Sequence, residues 1–236
     1  SLKRADTLAA APMAEPVIVE DSSSGWQTVS TAAGVSYTYG QPVSVASDAD
    51  VLRLELDSLS APADVIAWAT PMYDSTAFRV VRMQNTWGED IIASPFTSRY
   101  VDDVLVGADR FDGLVAGEKT EIAFGPIDGL RLSRDILNRN EGDTGIITRS
   151  NQKTETVEIR IENLTDRAWP VHLIDRVPFS EQDDLEISWS AVPSPDDQNV
   201  ENQRGILSWN MTLEPGKTNT IQLDTTLNWP EGQVLR

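Results

Sequence analysis

The sequence predicts an all-β fold built as two consecutive β-sandwich units, the second of immunoglobulin-like size. Three observations carry that expectation. Apolar residues recur at every second position over short stretches, as in Leu52, Leu54 and Leu56 against Arg53, Glu55 and Asp57. Helical periodicity is nearly absent. Turn signals rich in Gly, Pro, Asn and Asp separate about a dozen short apolar runs. With 236 residues, 40% of them hydrophobic, the chain suits one large β domain or two small ones.

Taken in order, residues 1–25 are rich in Ala, Pro and Ser and close on Glu20-Asp21-Ser22-Ser23-Ser24-Gly25, the composition of a linker or extended arm. Within it, Val17-Ile18-Val19 can add a strand to a sheet edge. Residues 26–150 form the expected first unit, with strands at 35–39, 51–57, 64–69, 77–84, 104–108, 120–124, 130–134 and 145–149. The stretch 132–140 breaks the alternation and reads as a short helix or irregular loop. The polar run Ser150-Asn151-Gln152-Lys153 marks the expected boundary. Residues 151–236 form the second unit, with strands at 157–162, 171–175, 185–191, 206–213 and 220–228.

Two turns echo each other. Glu214-Pro215-Gly216-Lys217 places Pro and Gly at the central positions of a type II turn, and Ala116-Gly117-Glu118-Lys119 is a weaker counterpart. Each leads into a strand, 218–223 and 120–124, which suggests two sandwich-like units.

Charge and composition narrow the function classes. A formal net charge of −18 repels phosphate backbones and anionic lipid surfaces, so no nucleic-acid partner is expected. No apolar run approaches the roughly 18 residues of a membrane-spanning helix, so no membrane span is expected. The absence of cysteine excludes disulfides, thiolate nucleophiles and Cys-based zinc sites. Leu2-Lys3-Arg4 followed by the apolar residues to Ala14 has the outline of a signal-peptide end, but Asp6 and Pro12 interrupt it. The chain therefore reads as a piece cut from a longer protein.

Each candidate for chemistry has a plainer explanation. His172, the one histidine, alternates with Val171 and Leu173 and should point off the outer face of a strand. Asp143-Thr144-Gly145 matches the aspartic-protease triplet, but that chemistry needs two such aspartates, and a turn accounts for a single copy. The acid pairs Asp102-Asp103, Asp183-Asp184 and Asp196-Asp197, and Asp48 with Asp50, sit in expected loops. A hydrolase would need two of them facing across a cleft, and a calcium site would need oxygen ligands from several positions. Of seven tryptophans, Trp189, Trp209 and Trp229 share parity with core residues; Trp26, Trp68 and Trp87 are not assigned this way. No catalytic, cofactor or metal residues are expected.

The sharpest motif is Ile174-Asp175-Arg176-Val177-Pro178-Phe179-Ser180. It is followed by Gly205-Ile206-Leu207-Ser208-Trp209, then Leu213-Glu214-Pro215-Gly216-Lys217, then Trp229-Pro230-Glu231-Gly232. In this order the segments resemble the carboxyl-terminal domain of the mucoidy inhibitor A family, a domain of unknown function. Upstream, Ala77-Phe78 with Asn85, Tyr100-Val101-Asp102-Asp103 with Val106-Gly107, and Phe124-Gly125 resemble the family more loosely. Where the family carries Leu-Leu-Pro-Gly, this chain has Ile91-Ile92-Ala93-Ser94-Pro95. The resemblance implies a bacterial cell-envelope protein, periplasmic or at the cell surface. It also implies a secretion signal, a β domain and a coiled coil ahead of this part. It implies no reaction. The motif positions Asp175, Arg176, Pro178, Ser180, Gly205, Trp209, Pro215, Gly216 and Pro230 are all explicable as fold specification. The expectation is a non-catalytic protein acting through a protein partner or self-association, by edge strands or residues 1–25. The alternatives are a carbohydrate-binding module and a hydrolase using paired carboxylates.

Overall fold

The computed structural model describes residues 17–19, 26–31, 34–39, 42–45, 47, 52–54, 58–144 and 150–231. The strands are β1 (Val17–Val19), β2 (Trp26–Thr31), β3 (Gly34–Tyr39), β4 (Leu52–Leu54), β5 (Ala63–Ala69), β6 (Thr76–Gln84), β7 (Ser94–Val101) and β8 (Val104–Phe111). They continue as β9 (Lys119–Thr144), β10 (Ser150–Asn163), β11 (Trp169–Arg176), β12 (Glu186–Val192), β13 (Asp197–Gln198), β14 (Ile206–Leu213) and β15 (Thr218–Pro230). The only helical piece among the described residues is a 3-10 turn, Val200–Asn202. The chain is all-β, as its period-two patterning predicts.

Nine strands form one mixed sheet in the order β12-β15-β10-β9-β6-β5-β11-β14-β13. Every pairing in it is antiparallel except β11 with β5. The two ends of the sheet close on a common core. Ala191 of β12 and Leu207 and Trp209 of β14 belong to the same buried cluster as Ala67, Leu130, Ile159 and Ile221. The Trp209 Nε1–H donates to the Pro193 carbonyl at 3.0 Å, tying β14 to the end of β12. The sheet thus supplies both layers of a sandwich, with odd-numbered residues of β10, β11 and β15 inward. Two-stranded sheets stand beside it: β1 with β4, β2 with β3, and β7 with β8.

The sheet runs across the expected boundary at residue 150. β9 and β10 are the two arms of one antiparallel pair, from Ser150↔Thr144 to Asn163↔Leu130. β5, from the first expected unit, pairs with β11 from the second. The polar run at 150–153 is strand surface rather than linker. Its residues look like a linker because this end of the ladder extends past most of the core. The expected short helix or loop at 132–140 is instead the middle of β9. A β-bulge between Ile136 and Asn138 spoils the alternation there: Val157 faces Ile136, whereas Thr156 faces Asn138. Of the arm 1–25, only the strand Val17–Val19 is described, and it pairs in parallel with β4. The expected strand at 145–149 lies outside the described residues.

The echo between the two turns extends into the side chains. Asn85 follows β6 and Asn163 ends β10, and both are buried. The Asn85 amide donates to Glu89 O and Leu114 O, and its oxygen accepts from Trp87 N. The Asn163 amide donates to Arg167 O and Leu213 O, and its oxygen accepts from Thr165 N. The backbone matches as well: Gly117 N donates to Asn85 O, and Gly216 N donates to Asn163 O. The first turn closes from Glu118 N to Val115 O, one residue earlier than expected, and the second from Lys217 N to Glu214 O. Gly117 and Gly216 hold φ +82° and +68°, the left-handed region a type II turn demands at its third position. The pairs β6–β9 and β10–β15 are therefore built on one local plan within a single sheet.

Candidate binding cleft

The motif around Asp175 lies where β11 outruns its neighbours. β5 and β6 are joined by the turn at residues 70–75, and β9 leaves β6 after Thr76↔Arg131, with Leu132 N donating to Ser75 O. Beyond that turn β9, β10 and β15 continue and face the end of β11. Alternation dictates that Asp175 points inward, and its side chain is fully buried. A buried carboxylate needs a charge partner and hydrogen bonds. It receives the Arg134 Nε–H at 3.0 Å and the backbone N–H of Arg176 at 2.7 Å. Arg176 falls on the opposite parity and is exposed.

Pro178 ends strand pairing because it lacks an N–H. Just before it, Val177 N donates to Gly205 O at 2.8 Å. Gly205 has φ +79°, and a Cβ there would lie 2.6 Å from the Val177 carbonyl oxygen, so only glycine fits. The Asn199 side chain accepts from Gly205 N, and the Ser180 hydroxyl accepts from Gln182 N. Arg204 lies over the Phe179 ring, 5.6 Å from its centroid. Asp175, Arg176, Pro178, Ser180 and Gly205 are thus brought together. Trp209 is 2% exposed in the core. Pro215 and Gly216 belong to the remote turn under Asn163, and Pro230 is the exposed last residue of β15, opposite Ser150.

The result is a concave surface divided by a ridge. Phe179, 58% exposed, forms the ridge. On one side is a hollow of about 450 Å³ toward Ile187 and Trp189 of β12 and Leu207 of β14. On the other is a hollow of about 520 Å³ lined by Met72, Ile136 and Leu227. The second hollow also carries Arg134, Arg139, Lys153 and Arg176 with one carboxylate, Glu155. The bulge in β9 places Arg139 there, because it moves the odd-numbered residues onto the inward face. Arg139 Nε–H donates to Glu155 at 2.7 Å. Sequence reading identified the motif at 174–180 but not this cleft, since the β9 cations lie about forty residues upstream in an apparently irregular stretch. The only signal was an excess of arginine there, Arg131, Arg134 and Arg139, in an acidic chain.

The other candidates are dispersed. His172 faces outward, as its parity requires. Its Nδ1 lies 2.7 Å from Asn210 Oδ1, and its ring is 4.7 Å from that of Trp68. Asp143 and Thr144 end β9 opposite Asn151 and Ser150, in a ladder rather than a turn. Asp102 and Asp103 form the β7–β8 turn with φ 49° and 63°. Asp183 and Asp184 lie between β11 and β12, and Asp196 accepts from Asn210 N at 2.6 Å. Asp48 and Asp50 lie outside the described residues. Trp169, which parity did not flag, is 2% exposed, with the Arg167 guanidinium 3.7 Å from its centroid. Trp68 and Trp87 are half-buried, and Trp87 Nε1–H donates to Ser60 O. Trp189 is partly buried against the core and Trp229 is buried.

The domain of unknown function DUF4139 matches residues 3–231, and the chain belongs to that family. It is similar to Protein F37C4.5 of Caenorhabditis elegans, 19% identical over 209 residues, which are 85% of this chain. The match spans 37% of that relative, so the chain corresponds to little more than a third of its length. No solved structure matches.

Proposed function

We propose that this member of the DUF4139 family is a non-catalytic binding module of a bacterial cell-envelope protein of the mucoidy inhibitor A type. It acts in the periplasm or at the cell surface by holding a partner in the cleft beside Phe179. The observation that carries this is the exposed phenylalanine ridge set between two hollows. Its supports are the Arg134–Asp175 pair, whose carboxylate is fully buried, and the Val177–Gly205 contact, where only glycine fits. A large apolar side chain held out on an over-determined loop is the anatomy of an interaction anchor. The envelope placement rests on the four-segment resemblance. Photo-crosslinking in the full-length protein tests the reading. A crosslinker at position 179 should give a discrete adduct in envelope extract, and one at Val104 in the distant β7–β8 turn should not. Equal labelling at both positions, or none at 179, would sink it.

A second reading, carbohydrate recognition, is favoured by one outward-facing row. Phe78, Trp68, His172 and Asn210 are successive cross-strand partners on β6, β5, β11 and β14. Arg82 lies 5.9 Å from the Trp68 ring centroid. Aromatic faces flanked by amide and guanidinium donors suit a sugar ring. Loss of glycan-array binding on Trp68→Ala would support it, and a blank array with the native protein would dismiss it.

A further inference from the structure

We infer that the free edge of β9 is a docking site for an extended, acidic peptide segment, added as a strand beside the cleft. The inference rests on the binding reading above and names its partner. Among the described residues, β9 after Leu132 has no strand on the side vacated by β6 and pairs only with β10. Residues 135–142 are all exposed, and Ile136 and Leu137 are 46% and 58% so. Unpaired N–H and C=O groups in such a row are a template for another strand. The space is a continuation of the sheet: a strand laid there would follow on from β6, between β9 and the Arg176–Phe179 segment.

Charge selects the occupant. Arg134 and Arg139 face the cleft from β9 itself, and Arg176 and Lys153 flank it. Arg134 and Arg139 are already paired, with Asp175 and Glu155. Arg176 and Lys153 make no ion pair among the described residues, although Glu141 stands opposite Lys153 in the ladder. In a chain of net charge −18, this cluster is a local exception. Inward-pointing cations beside an open edge repel basic strands and another copy of the same edge. They admit a strand with carboxylates at alternate positions: the acids turn into the cleft toward Arg176 and Lys153, and the apolar residues between them turn to the opposite face. The open row of backbone N–H and C=O groups favours a peptide over an acidic polysaccharide, which cannot continue the ladder.

The probe is a capped peptide alternating Glu with Val, of about ten residues to match the exposed edge at roughly 3.4 Å per residue. Three companions accompany it: the same peptide with Lys for Glu, the same peptide N-methylated at alternate amides, and an oligogalacturonate of equal charge. Binding to the full chain is read by fluorescence anisotropy. The Glu peptide should bind and the Lys peptide should not. Arg176→Glu and Lys153→Glu should each weaken binding by about tenfold, the scale of one charge-assisted hydrogen bond. N-methylation should weaken it by at least about tenfold at unchanged charge, because it removes ladder donors. Equal binding of the N-methylated peptide would overturn strand addition. So would a concentration-dependent dimer dispersed by Arg176→Glu, since the occupant would then be a second copy. Tight, Arg176-dependent binding of the galacturonate without the peptide would overturn the peptide but leave the cleft as a binding site. Failure of the whole binding reading would instead appear as no crosslink at position 179.

Discussion

Replacing Asn163 by alanine tests the local plan shared by the two strand pairs. The side chain is fully buried and makes four hydrogen bonds, to Arg167 O, Leu213 O, Thr165 N and the Thr165 hydroxyl. Thr165 and Arg167 lie at the surface, where water can replace the amide. Leu213 is 1% exposed, so its carbonyl would lose a partner that water cannot easily supply. One buried unsatisfied acceptor costs about 1–3 kcal/mol, and two partly compensated neighbours add about 1 kcal/mol. The expected loss is about 2–4 kcal/mol. Urea unfolding should show it as a fall in midpoint of about 1 M, taking a slope near 3 kcal/mol per M. The slope itself should not change. Asn163→Asp has nearly the same shape but lacks both N–H donors, so it should cost at least as much as alanine. A loss below about 0.5 kcal/mol for either variant would refute the argument that these hydrogen bonds hold the turn. Asn85→Ala should behave alike, because its bonds to Leu114 O and Glu89 O repeat those of Asn163. Both variants should unfold in one transition, since one sheet crosses residue 150; two separated transitions would show independent units.

Two further outcomes follow from the motif. Asp175→Asn removes the partner of the largely buried Arg134 and should cost about 3 kcal/mol in thermal or urea unfolding, whereas Arg134→Met with Asp175→Leu should recover most of it. Gly205→Ala should destabilise by about 2 kcal/mol, because its φ of +79° disfavours a side chain and the new Cβ would lie 2.6 Å from Val177 O. Unchanged unfolding of that variant would show that the 177–205 contact does not constrain the loop.

Much of the strand content was legible because a half-buried strand writes its two faces as alternating residues. Ile159 and Ile161, Val171 and Leu173, and Leu207 and Trp209 all point inward as parity requires. The turn at 214–217 was legible because glycine suits its left-handed third position, and Gly117 marked the first turn, which closes one residue earlier than expected. The motif at 174–180 was legible as a motif, and its Pro178 as a strand end. The β9 stretch at 132–140 was misread because one bulged residue shifts the phase of the pattern. Polar and charged residues beyond it then resemble a loop. The boundary at 150 was misread for a related reason: strands that outrun a core carry surface residues on both faces.

What the sequence by itself determined is therefore local: strand faces, turn types, the outward direction of His172 and the acidic surface. Each depends on neighbours within a few residues and on the period of two. What only the tertiary structure decided is which strands meet. The parallel pairing of β5 with β11 joins residues about a hundred positions apart, and nothing in either strand names the other. That pairing and the early stop of β6 bring Arg134 to Asp175 and leave the β9 edge open. The cleft exists because strand lengths differ across the sheet, a property of the assembled ladder and not of any one segment.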